Sequence, residues 1–257
     1  MKDICVVIQT YNEEKNIAEC IKSAHQLTDA ILVVDTESTD NTITTAKQLG
    51  VSIKTFPFSR YVEPAREFGV TNAHAQWVLL LDADERITPE LVTEIRSAIR
   101  SPEYTHYKIP RKEYFAKKIW LKHGGLWPNH QIRLINTSAF QTWPKAIHST
   151  PKIQGNLGYL NEAILHYSKN DYAEIVKKTT VFEDVESQLL FEADRPVSVP
   201  ILFRKFFGEL FRRLLKNQGY RDGTIGIIEA FYQAYSKTIT YIYLYEKKNC
   251  RSVQSVS

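Results

Sequence analysis

Apolar runs separated by helix-patterned stretches govern the first hundred residues of this chain. Ile4–Ile8, Ala30–Val34, Val51–Phe56 and Trp77–Leu81 read as strands, and the unbroken apolar side chains of the first and last describe strands buried on both faces. Between them, Lys15–Gln26 sets Ile17, Ala18, Ile21 and Ala24 on one helical face. A second helix runs through Leu49 with Thr39, Asp40 and Asn41 as candidate caps, and a third covers Pro64–Ala75. Thr88-Pro89-Glu90 opens a fourth with a capping hydroxyl, a proline at its first position and an early acid. This alternation predicts an α/β fold whose largely parallel sheet is covered by helices on both faces. Such sheets bind ligands beyond the carboxyl ends of their strands.

Polar clusters follow three of the four runs: Thr10-Tyr11-Asn12-Glu13-Glu14, then Asp35-Thr36-Glu37-Ser38-Thr39-Asp40, then Asp82-Ala83-Asp84-Glu85. One Asp-x-Asp triplet is as much a strand-ending turn as a source of hard oxygen ligands. Three acidic clusters at one sheet edge repel unless a cation, a proton or hydrogen-bond donors hold them. A metal-bound nucleotide supplies that compensation. Composition narrows the field further: 257 residues, 43% hydrophobic and 24% charged, make a folded chain that can hold one large α/β domain, or one domain plus a helical appendage. A net charge of +4 and no recognised module argue against nucleic acid as a partner.

Thr10-Tyr11-Asn12-Glu13, the run Val33–Thr42, Arg66 within Ala65-Arg66-Glu67-Phe68-Gly69, and Asp82-Ala83-Asp84 stand in the order and spacing of family 2 glycosyltransferases. The chain resembles that family over most of its length. Gly124–Asn129, Gln131–Leu134, Leu165–Ser168 and Tyr220–Gly223 are similar to segments of the branch containing lipopolysaccharide-core glucosyltransferases. The resemblance implies the GT-A nucleotide-diphospho-sugar transferase fold, a Rossmann-like mixed, mainly parallel sheet with helices on both faces, and a C-terminal helical region. It implies inverting transfer of a hexose from a nucleotide-diphosphate sugar, UDP-glucose in the first instance, to a cell-envelope glycan such as lipopolysaccharide core. Thr10, Tyr11, Glu13, Asp35, Ser38, Arg66, Asp82 and Ala83 would line the donor, with Tyr11 and Glu13 beside the nucleoside and Asp35 accepting from the base. Asp84, with Asp82 and His166, would hold Mg2+ or Mn2+. Arg66 reads equally as a surface helix arginine, and His166 as a buried structural histidine.

Inversion needs a group that takes the acceptor hydroxyl's proton. The carboxylates that related sequences place here are replaced by Asn129 and Ser149, which leaves His148 as the candidate catalytic residue, or a carboxylate such as Glu113 or Glu162. The alternative is a nucleotide-sugar-binding pseudoenzyme or glycan-binding scaffold. Tyr107, Tyr114, Trp120, Trp127 and Trp143, interleaved with Lys112, Lys117, Lys118, Lys122 and Arg133, offer rings and cations to a glycan or lipid-linked glycan acceptor, or else form core and solvated face.

Composition changes after Asp194-Arg195-Pro196, so the expected division is a catalytic domain over 1–194, with a donor half to residue 100 and an acceptor-side half over 101–194, and a helical extension over 195–257. Ile201–Lys216 reads as an amphipathic basic helix, fit either to lie on an anionic membrane or to pack on the catalytic domain. Ile225–Tyr245 reads as another helix, too polar to span a bilayer. Three scattered cysteines form neither a disulfide framework nor a zinc site, and the opening residues lack the pattern of a secretion signal. A cytoplasmic chain, peripheral on the inner face of the cytoplasmic membrane where the helix binds lipid, is the expectation.

Overall fold

In the computed structural model, which describes residues 2–59, 61–101, 103–144, 149–169 and 172–254, the expected alternation appears as β1 (Lys2–Thr10), α1 (Ile17–Ala24), β2 (Ile31–Asp35), α2 (Thr42–Gln48), β3 (Ser52–Thr55), α3 (Glu63–Asn72) and β4 (Ala75–Asp82). A two-residue strand β5 (Glu85–Arg86) precedes α4 (Pro89–Ala98). Then come β6 (His106–Phe115), β7 (Ile119–Trp120), β8 (Asn129–Asn136), β9 (Phe140–Thr142), β10 (Lys152–Ile153), β11 (Leu157–Tyr159) and β12 (Ile164–Lys169). Three helices end the chain: α5 (Tyr172–Glu192), α6 (Val199–Phe211) and α7 (Gly223–Gln254). Two compact units result, one of Met1–Tyr114 with Pro128–Ser168, the other of Phe115–Trp127 with Lys169–Ser257.

The sheet of the first unit runs β3-β2-β1-β4-β8-β6-β12-β5. Its first four strands are parallel, β8 is antiparallel to both β4 and β6, and β5 is antiparallel to β12. Strand alternation divides the core between the two faces. Ile4, Val6 and Ile8 pack with Ile17 and Ile21 of α1 and Leu91 and Ile95 of α4, whereas Cys5 and Val7 pack with Ala65 and Val70 of α3. Gly69 lets α3 approach closely, since a Cβ there would lie 2.5 Å from Val7 Cγ1. Thr88 caps α4 as expected, accepting from Leu91 N at 3.2 Å. At α2 the structure selects among the candidate caps: Asn41 makes no side-chain cap bond, and Asp40 Oδ1 accepts from Thr42 N at 2.9 Å. The third helix stops at Asn72 rather than Ala75, because His74 turns the chain with φ 47° and Ala75 already belongs to β4.

In the second unit α5 and α6 both pack on α7. A polar seam joins α5 to α7, with Tyr172 Oη donating to Glu229 Oε2 at 3.0 Å. The expected helix over 201–216 is not uniform: α6 passes at Arg212 into a π turn, Arg212–Lys216, followed by a 3-10 turn, Gly219–Asp222. Among the described residues, no helix is long and apolar enough to cross a membrane.

Candidate functional site

Register gathers the three acidic clusters at the carboxyl edge of the parallel strands. Thr10 pairs with Asp35, and Gln9 pairs with Asp82. The loops after β1 and β2 then close on each other: Asn12 N donates to Ser38 Oγ at 2.9 Å, Thr39 N to Asn12 Oδ1 at 2.7 Å, and Glu13 N to Thr42 Oγ1 at 2.8 Å. Asp35 is buried and held by its own loop, its two oxygens accepting from Ser38 N at 3.0 Å and Ser38 Oγ at 2.5 Å. Glu13 fixes the start of α1 by accepting from Asn16 Nδ2 at 2.7 Å. Thr10 is buried, and its Oγ1 has no hydrogen-bond partner among the described residues. Tyr11 is the open member of the set, 43% exposed, with its ring centroid 4.7 Å from that of Phe58.

The triplet after β4 divides its carboxylates. Asp82 ends the strand and is gripped by arginines: Arg66 Nη2 lies 3.0 Å from each oxygen, and Arg133 Nη2 lies 2.7 Å from Oδ2. Burial opposes its ionisation, but Arg133 and Arg66 outweigh burial and hold the carboxyl well below the usual range. Ala83 is in the core and ties the turn to β1, its N donating to Gln9 O at 3.1 Å. Asp84 takes a different partner. Its Oδ2 lies 3.3 Å from His166 Nε2, because β12 pairs His166 with Glu85. The far ring nitrogen of His166 meets Glu113 Oε2 at 2.6 Å. Burial draws the imidazole pKa down and Arg111 opposes its charge, yet Asp84 and Glu113 prevail and lift it to about 10. The Asp84 carboxyl is lowered correspondingly, against burial, by His166.

Arg66 and His166 therefore both join the cluster, the first as a partly buried ion pair rather than a surface arginine. Sequence reasoning placed Glu85 in the acidic cluster without giving it a role, missed Arg111 and misplaced Arg133. Glu85 is fully buried, bonded by Arg133 Nη2 at 2.7 Å and by Asp82 N at 2.9 Å. Arg111 Nε stands 2.9 Å from Glu113 Oε1. Arg133 belongs to the buried network, not to an acceptor surface. An arginine inside the apolar run Ile132-Arg133-Leu134-Ile135 was the available signal, since a charge buried in a strand requires partners. Tyr107 and Trp143 are likewise core side chains, Tyr107 donating to Ala98 O at 3.0 Å.

The candidate bases separate. His148 lies outside the described residues. Glu113 has one oxygen on His166 and the other on Arg111, so it orients the histidine rather than meeting an acceptor. Glu162 sits in a turn whose Asn161 and Glu162 amides are anchored by Glu94 of α4. Ser149 Oγ donates to Pro144 O at 2.6 Å, and Asn129 Oδ1 accepts from Gln131 Nε2 at 2.9 Å. Among the described residues, no three His, Cys, Asp or Glu side chains are arranged to hold a metal by themselves.

A model of glycosyl transferase family 2 matches residues 5–159. An uncharacterised glycosyltransferase of Rickettsia typhi is 31% identical over 217 residues, covering 77% of this chain and 71% of that protein. One from Rickettsia conorii is 26% identical over 250 residues, covering 91% and 86%. Among solved structures, S. aureus TarS 1-349 in complex with UDP-GlcNAc superposes with a TM-score of 0.50 at 15% identity, over 96% of this chain and 92% of that one. Glucosyl-3-phosphoglycerate synthase from Mycobacterium tuberculosis, in complex with Mn2+, UDP and glucosyl-3-phosphoglycerate, gives 0.50 at 16% identity, over 77% and 82%. These likenesses show the fold, a GT-A arrangement of mixed sheet and helices. The chain belongs to glycosyl transferase family 2.

Proposed function

We propose that this glycosyltransferase moves a hexose, with inversion, from a nucleotide-diphosphate sugar, UDP-glucose in the first instance, to a cell-envelope glycan such as lipopolysaccharide core, using Mg2+ or Mn2+. The reading keeps the resemblance to the lipopolysaccharide-core glucosyltransferase branch and takes a lipid-linked acceptor met at an anionic membrane. Residues 1–100, the proposed donor half, fall wholly in the first unit, whereas 101–194, the proposed acceptor side, are shared between the units.

One observation carries the reading: Asp84 Oδ2 and His166 Nε2 stand 3.3 Å apart, and Glu113 engages the opposite nitrogen of the same ring. Two ligands on one octahedral cation at ~2.1 Å are separated by about 3 Å, and a carboxylate behind a ligating histidine fixes its orientation. A pair rather than a triad fits Mg2+ or Mn2+, which take their remaining ligands from substrate phosphates and water. When bound, the cation would stabilise negative charge on the departing nucleotide diphosphate. Arg66, stacked 5.6 Å over Trp143, adds a fixed positive charge beside Asp82. The Tyr11 and Phe58 rings, both exposed, present a face for a nucleobase. Asp35 retains lone pairs, beyond those used by Ser38, to accept from a base N–H. Complexes of the two fold relatives, with UDP-GlcNAc in one and Mn2+ with UDP in the other, support this reading.

His148 remains the proposed base. Asn129 and Ser149 motivate the second reading, a donor-binding protein without efficient transfer. Turnover of a nucleotide-sugar panel with candidate acceptors, with and without Mn2+, separates the two. The transferase reading expects Mn2+-dependent turnover that falls about 10²–10³-fold in Asp84→Ala. UDP binding with no turnover on any acceptor would favour the scaffold.

A further inference from the structure

Val199, Phe203, Phe207, Phe211 and Leu215 recur at every fourth position along α6 and its π turn, and each is 53–62% exposed. Phe203 and Phe207 stack on one another, centroids 6.2 Å apart and planes 8° from parallel. The row is not a core face, because Leu202, Phe206, Leu210 and Leu214 are the half-buried side chains of this helix, and Lys205 Nζ sits 4.8 Å over the Tyr241 ring of α7. In a regular α-helix residues four apart overshoot a full turn by about 40°, so a longer row winds away from its line. The π turn holds more residues per turn and draws Leu215 back toward the row. Sixteen residue steps give a strip about 24 Å long.

A basic row adjoins it: Arg204, Arg212 and Lys216 are exposed beside the phenylalanines. Between residues 199 and 216 five basic side chains accompany one acid, an excess of four that equals the net charge of the whole chain. That acid, Glu209, is bonded by Arg212 Nη2 at 2.5 Å and Arg213 Nε at 2.7 Å. A second copy docking face to face would set these cations against one another. Anionic headgroups above an acyl layer match both rows.

We propose that the outward face of α6 and its π turn docks on an anionic lipid surface, with the phenylalanine row at the headgroup–acyl boundary and Arg204, Arg212 and Lys216 among the headgroups. This deepens the reading above, on which it rests for its purpose, by assigning the membrane contact to named side chains. Sedimentation of the full chain with phosphatidylcholine vesicles, with and without phosphatidylglycerol, tests it. Wild type pellets with the anionic vesicles, and Phe203→Ser/Phe207→Ser/Phe211→Ser or Arg204→Glu/Lys216→Glu loses about tenfold or more in affinity, the charge variant's loss shrinking in high salt. In a Cys250→Ser background, Phe207→Cys carrying an environment-sensitive dye shifts its emission to the blue on anionic vesicles, which tests the contact without removing the row. Wild type left in the supernatant, equal pelleting of the phenylalanine variant, an unshifted dye, or a wild-type dimer that the phenylalanine variant abolishes without vesicle binding would each overturn the proposal. UDP binding by calorimetry is independent of it: UDP binding without vesicle binding ends the docking proposal alone, and vesicle binding without UDP binding ends the donor reading alone.

Discussion

Arg133→Met takes a guanidinium from two carboxylates at once. Its Nη2 lies 2.7 Å from Asp82 Oδ2 and 2.7 Å from Glu85 Oε1, with the arginine side chain 3% exposed and that of Glu85 fully enclosed. Methionine keeps an unbranched stem, so packing is largely retained and the change is chiefly one of charge. Breaking a buried pair costs about 3–5 kcal/mol, because the surviving charge is left without compensation. Here each carboxylate keeps another arginine, Arg66 at 3.0 Å on Asp82 and Arg111 at 3.4 Å on Glu85, which sets the expectation at the low end, about 3 kcal/mol. Against a usual total of ~5–15 kcal/mol this is a large fraction, and at roughly 2–4 °C per kcal/mol it lowers Tm by about 6–12 °C. Urea unfolding followed by circular dichroism measures it. Pairing the change with Glu85→Gln removes one of the stranded charges, so the double variant loses less than the two single variants together, by about 1 kcal/mol or more. A single-variant loss under about 1 kcal/mol, or strict additivity in the cycle, would refute the claim that this network is buried and mutually compensating.

Gly69→Ala places a methyl 2.5 Å from Val7 Cγ1 and 3.2 Å from Gln9 Nε2, so α3 must shift. A loss of about 1–3 kcal/mol is expected in denaturant unfolding, and an unchanged midpoint would contradict the close packing of α3 on β1. Burial pushes the Cys5 thiol up to about 11 against the opposing charge of Lys2, so its contribution to stability is complete below the unfolded thiol value of ~8.5 and is lost as pH rises toward 11. Cys5→Ala should flatten the alkaline fall in unfolding free energy across that window, and an unchanged slope would count against it. Asp82→Asn should lower Tm by several degrees, about 2–4 °C per kcal/mol lost from its arginine pairs, whereas Asp84→Asn, which also loses its His166 pair, should be the variant that weakens Mn2+ binding by calorimetry. The reverse pattern would exchange the roles given to the two aspartates.

The strand–helix alternation of the first hundred residues was legible because each element is specified locally, by an apolar run, a cap or a proline. Thr88 caps α4 for the reason that its sequence context suggests. The cluster's composition was only half legible. Asp82, Asp84, Arg66 and His166 lie in recognisable motifs and Glu113 was a candidate to enter the site, but the partners of Arg111, Glu113 and Arg133 follow from β6 and β8, whose antiparallel pairing spans long sequence separations that local pattern does not encode. Aromatic residues were open between two readings for a related reason: Tyr107 and Trp143 carry polar atoms compatible with an acceptor surface, and the structure selects the core reading for both, each donating a hydrogen bond from within the core, to Ala98 O and Ser149 O. In α6 the sequence pattern offered packing or membrane as alternatives. The helix has an apolar set turned toward α7 and another turned to solvent, a distinction that needs the position of the neighbouring helix.

The division of labour in Asp82-Ala83-Asp84 follows from where β4 ends. In a continuing strand, side chains two residues apart share a face, and both carboxylates would meet the same surroundings. β4 stops at Asp82, and the chain turns through Ala83 and Asp84 before β5 pairs with β12. Asp82 thus keeps the orientation of the strand and meets arginines from α3 and β8, while Asp84, already in the turn, faces a histidine from β12. Had the arginines saturated Asp84 as well, the turn would be a structural ion-pair knot with little capacity for a cation. Had neither aspartate been paired, mutual repulsion would have left the turn poorly placed. Fixing one carboxylate with two guanidiniums holds the turn, so the other carboxylate can face His166 at 3.3 Å without the chain moving to bring it there.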